Sequence, residues 1–134
     1  MRDPKAEGRR WLDQAENDLT FARYALQGEF FHQVCFVAQQ CAEKALKALH
    51  YHEGARTVLG HSVVGLLSPL LGTHPELDAL NDSAAELDLF YVATRYPNGL
   101  ADGTPHRVFT RAQAARALEC AEQILTAMKV RLGG

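Results

Sequence analysis

Twenty-four residues without a glycine or proline, Phe30 to Glu53 (FFHQVCFVAQQCAEKALKALHYHE), constrain this chain more than any other stretch. They are rich in Ala, Leu, Lys, Glu and Gln, which lose little side-chain freedom in a helix, and Gly54 follows as a natural C-terminal stop. A helix of about seven turns is predicted.

Stepping 100° per residue places Phe31, Val34, Cys35, Val37, Ala38, Cys41, Ala42, Ala45, Leu46, Ala48 and Leu49 on one half of that cylinder. Gln33, Gln39, Gln40, Glu43, Lys44, Lys47, His50 and Tyr51 fall on the other. An apolar arc so wide touches two or three neighbours, so this is the expected central helix of a bundle. Phe36 interrupts the polar half beside Gln40, Glu43 and Lys47. Three readings suit it: a ring lying on the stems of its neighbours, an oligomer contact, or a platform on which a base stacks.

With 134 residues, 47% of them hydrophobic, the chain can bury a core without staples, and one domain spanning residues 1–134 is expected. A formal net charge of -2 provides no global attraction to nucleic acid or acidic membranes, so any polyanion site must be local. Cys35, Cys41 and Cys120 all fall in helical patterns without the short paired spacings of zinc or redox sites, which points to a reducing, cytoplasmic setting and to no bound metal or cofactor. The opening MRDPKAEGRR lacks an apolar run, and no stretch is long enough to span a membrane.

The remaining segments supply partners for the central helix. Asp3-Pro4 opens a first helix with apolar Trp11, Leu12, Ala15, Leu19, Ala22 and Leu26, closing at Gly28 in a tight hairpin link. His61-Ser62 caps a brief third helix ending at Gly72. A fourth opens at Thr73–Pro75 and presents Leu77, Leu80, Ala84, Leu87 and Tyr91 to the core, with a solvated acidic face of Glu76, Asp78, Asp82, Glu86 and Asp88. Thr110 and Gln113 form a capping box for the last helix, whose stripe runs from Ala114 to Leu132. The fold class is all-α: an up-down bundle of four main helices plus one short helix.

Between the fourth and last helices, RYPNGLADGTPHRVF (95–109) has no periodicity, and irregular segments of that length inside a compact domain tend to be functional or disordered. Arg95, Arg107, Arg111 and Arg116 cluster in and after it, opposed before Glu119 only by Asp102. Guanidinium groups at a helix N-terminus make a phosphate site from Arg95, Arg107 and Arg111. The competing reading pairs Arg95 with Asp88 along one helix face. Elsewhere the histidines are less telling: His50 and His52 point in different directions, and His32 and His74 stand at helix starts, where capping is expected.

The wording CFVAQQCAEKALKALHYHEG, preceded by RRWLDQAENDLTFARYAL and followed by GHSVVGLL and TRYP, resembles the HEPN family, named for nucleotide binding in higher eukaryotes and prokaryotes. The resemblance covers roughly Trp11 to Met128, and AQQCAEKALKAL is its most specific part. Many HEPN proteins are metal-independent ribonucleases in which an arginine and, after four to six intervening residues, a histidine act on the ribose 2'-hydroxyl and its phosphate, two subunits bringing two motifs together. Here the matching arginine is Arg95, but His106 lies beyond ten intervening residues. Arg56 and His61, separated by four, match the spacing literally in the link before the third helix, where a cap or hydrogen-bonding role for His61 competes with catalysis. The resemblance also implies a homo-oligomer and a partnership with a minimal nucleotidyltransferase in a toxin–antitoxin-like pair. Three functions follow as expectations: a binder of nucleotide or RNA phosphate, an RNA endonuclease using Arg95 and His106, and a non-catalytic interaction module with Phe36 at its contact.

Overall fold

A computed structural model describes residues 3–133, and all regular structure among them is helical. Helix α1 (Pro4–Gln27) begins where the Asp3 carboxylate accepts from the Ala6 amide, and helix α2 (Phe31–His52) returns against it. The hairpin link turns at Glu29, which holds the left-handed conformation (φ 64°), while Gly28 keeps a right-handed one. Gly8 in α1 lies under α2: a Cβ there would meet the Ala48 carbonyl at 2.8 Å and His52 Cβ at 2.9 Å, so only glycine permits this approach.

Helix α3 (Val63–Leu67) is capped by Ser62, whose hydroxyl accepts from the Gly65 amide, and runs into a 3₁₀ turn (Ser68–Gly72). The expected fourth helix is instead three pieces: a 3₁₀ turn (Pro75–Leu80), α4 (Asn81–Asp88) and α5 (Phe90–Ala93). Its apolar spacing is met all the same, since Leu77, Ala84 and Leu87 are buried. The acidic face is not merely solvated. Asp88 accepts from the Ser62 hydroxyl and the Val63 and Val64 amides, capping α3; Glu86 takes a two-pronged contact from Arg116, and Glu76 accepts from Arg131. Those guanidinium groups hold both glutamates below the usual carboxylate range. His74 makes no cap; its ring lies 2.6 Å from a Glu53 oxygen.

Helix α7 (Arg111–Arg131) starts with the expected reciprocal box between Thr110 and Gln113. It packs with α1 and α4 around α2, which is buried on more than its apolar half. Gln39, Glu43 and Lys47, expected on the outer face, are all at most 6% exposed. Lys47 donates to Glu43 at 3.2 Å and its ammonium sits 5.7 Å from the Trp11 ring centroid, so the buried charges compensate each other. The three cysteines are free and buried, and desolvation pushes the Cys35 and Cys41 thiols up to about 12 and the Cys120 thiol up as well. Among the described residues no helix is long and apolar enough to cross a membrane.

Candidate functional site

The segment 95–109 is not irregular throughout. Pro97–Gly99 forms a 3₁₀ turn and Pro105–Val108 a single helical turn, α6, each begun by the residue whose fixed φ suits a first turn. Gly99 packs so closely on α5 that a Cβ would stand 2.9 Å from Ala93 Cα, and Phe109 closes the segment by packing edge-on to Phe90. The chain between Arg95 and His106 is thereby folded back rather than extended.

The result is a cleft of about 650 Å³ between the start of α2, the end of α5 and α6. His32, Gln33, Phe36 and Val37 form one wall; Thr94, Arg95, Pro97, Thr104, Pro105 and His106 form the other. The lining thus contains a guanidinium and two imidazoles and no carboxylate.

Arg95 is held among aromatic rings. Its guanidinium carbon lies 4.9, 4.3 and 5.2 Å from the ring centroids of Phe36, Tyr91 and Tyr96, and its Nε donates to the Tyr91 carbonyl. The expected partner Asp88 is occupied at the N-terminus of α3, and no carboxylate lies within ion-pair distance of Arg95 among the described residues. With only Nε engaged in a hydrogen bond, the guanidinium keeps its terminal N–H groups for an oxyanion.

His106 lines the same cleft, its Nδ1 3.3 Å from the Thr104 hydroxyl, and its ring stands edge-on to His32 with centroids 6.4 Å apart. His32, expected as a cap, makes no hydrogen bond to any described residue; partial burial, and then the nearby His106, hold its pKa below the ordinary 6.5. Arg107 is exposed, without an ion pair among the described residues, and outside the cleft lining. Arg111 is the first residue of α7, as expected, yet it already has Glu29 at 3.4 Å and lies over the Phe31 ring. Arg116 is committed to Glu86 and Glu119. Of the arginines around the loop, the cleft holds only Arg95.

The literal pair, Arg56 and His61, is split. Arg56 is exposed with no contact to His61, whereas His61 Nδ1 lies 3.2 Å from the buried Glu43 and its ring stacks on Tyr91 at 5.0 Å. The Gln39 side chain also donates to the His61 carbonyl. His61 therefore belongs to the support beneath Tyr91, which in turn carries Arg95. Phe36 is half-buried under Arg95. Sequence reasoning does not single out His32, Gln33, Tyr91 or Tyr96 as site residues; the tyrosines flanking Arg95 are the available signal.

A family model for the HEPN domain matches residues 9–131. Among solved structures, TT1696 from Thermus thermophilus is 37% identical with a TM-score of 0.88, covering 93% of this chain and 98% of its own. ST0689, an archaeal HEPN homologue, is 37% identical with a TM-score of 0.78 over 94% and 98%. A HEPN domain protein from Thermotoga maritima, TM0613, is 33% identical with a TM-score of 0.74 over 92% and 97%. Among curated proteins none matches.

Proposed function

The chain belongs to the HEPN domain family, and from that premise we propose that it binds a nucleotide or an RNA strand through phosphate held in the cleft of Arg95 and His106. The observation that carries the proposal is Arg95 itself: set among three rings, with no carboxylate within ion-pair distance among the described residues, and opening on a cleft lined by no acid. A bidentate N–H pair meets a phosphate there, and Tyr96, half exposed, offers a face to a base. Titration of a fluorescent single-stranded RNA and of mononucleotides against the full chain tests it. Saturable binding that Arg95→Ala weakens by roughly 10–100-fold supports the reading; equal binding by that variant refutes it.

A second reading, metal-independent RNA cleavage, is favoured by the presence of His106 in the cleft with Arg95 despite the long spacing. Incubation with RNA in excess chelator, with Arg95→Ala as the comparison, decides it. Partnership with a minimal nucleotidyltransferase rests on family membership alone; the neighbouring gene and co-purification of its product test it. A homo-oligomer is also part of the proposal, supported by the exposed Leu89, Val92 and Tyr96 on and flanking α5. Phe36→Glu, which places a charge beside that surface, then shifts elution from a sizing column towards the monomer, and an unchanged volume counts against an interface there.

A further inference from the structure

We propose that His32 and His106 of one subunit work as a proton-transferring pair, His32 as general base and His106 as general acid, cleaving an RNA strand seated in the cleft. The inference rests on the phosphate-binding reading and on RNA cleavage as its second reading, and adds one residue, His32, that lies outside the arginine–histidine motif.

Cleavage of RNA without a metal needs two proton transfers on opposite sides of one phosphorus. The 2'-hydroxyl loses its proton to a base as its oxygen bonds to phosphorus, and the bond from phosphorus to the 5'-oxygen breaks as an acid protonates that oxygen. The products are a 2',3'-cyclic phosphate and a 5'-hydroxyl, with no oxidant, reductant or added water consumed. A lone histidine supplies only one of these transfers at a time.

The cleft holds two. Ring centroids 6.4 Å apart, crossed at 66°, leave the imidazoles close enough to flank one phosphate and too far apart to hydrogen-bond to each other directly in that arrangement. His32 is partly buried yet has no hydrogen-bond partner among the described residues, so both its nitrogens are uncommitted. Arg95 supplies a positive group for the charge that grows on the non-bridging oxygens. The roles follow from the surroundings. Burial and the neighbouring His106 favour neutral His32, the form a base needs, and the complementary transfer falls to His106, which is exposed on α6 with its Nδ1 beside the Thr104 hydroxyl. The charged or titratable groups lining the cleft are these two and Arg95; outside the lining, Arg107 adjoins His106, and Asp102 is turned to the Gly103 amide.

The test uses the full chain, a single-stranded RNA and excess chelator, with a fully 2'-O-methylated copy of that RNA as an uncleavable binding probe. Wild type is expected to leave 2',3'-cyclic phosphate ends with a bell-shaped pH–rate profile. At saturating RNA, with affinity for each variant taken from the methylated probe, His32→Asn is expected to lower the rate by roughly 10²–10⁴-fold and flatten the acid limb, and His106→Asn to flatten the alkaline limb. His32→Gln serves as a second variant, and circular dichroism establishes that each folds. Cleavage by folded His32 variants at the wild-type rate overturns the pair. Wild type that binds the probe but never cleaves overturns it too, leaving the binding reading intact; wild type that does neither removes both.

Discussion

Two arginine–histidine pairs stand in this chain, and their fates differ. Arg56 and His61 have the tidy spacing, but His61 is drawn against buried Glu43 and Tyr91 while Arg56 is left in solvent. Arg95 and His106 have the wrong spacing along the chain and line one cleft, because two short turns and a close glycine contact shorten the path between them. The lesson is that a carboxylate nearby turns a histidine into structure, and its absence leaves an arginine free for a ligand.

The strongest way to break that comparison is to remove the carboxylate. Glu43→Ala leaves Lys47 buried without its counter-charge and is expected to cost about 3–5 kcal/mol in urea unfolding; unchanged stability would mean the His61 side is not structural. Next, Arg95→Ala is expected to weaken RNA binding by roughly 10–100-fold, matching the ~1.5–3 kcal/mol of a charged hydrogen bond, while Arg56→Ala stays at wild-type affinity. Third, Asp88→Ala removes a cap from α3 and should cost about 0.5–2 kcal/mol with RNA affinity kept; lost affinity would restore the Arg95–Asp88 pairing. The smallest effect is a titration. His106→Gln removes the lesser of the two causes depressing His32, so NMR should find the His32 pKa higher than in wild type but still below 6.5. Because folding lowers this pKa, the neutral ring's stabilisation is full above 6.5 and fades as pH falls through the lowered value.

The helices are legible from periodicity and caps: Asp3, Ser62 and the Thr110–Gln113 box all act as their spacing predicts. The polar stripe of α2 is not. Gln39, Glu43 and Lys47 read as solvent-facing because nothing local says that the 55–62 link and Trp11 will cover them. The fourth helix reads as continuous because its apolar spacing persists across breaks between short helical pieces. In the cleft, Arg95 and His106 are legible as residue types, whereas the place of His32 depends on α6 folding back onto the start of α2, which no local pattern announces.

The sealed thiols carry a practical consequence. With Cys35, Cys41 and Cys120 deprived of thiolate character, a small alkylating reagent finds no nucleophile in the closed molecule. Modification then proceeds only as fast as the bundle breathes open, giving every variant above an intrinsic clock for local opening that requires no introduced dye.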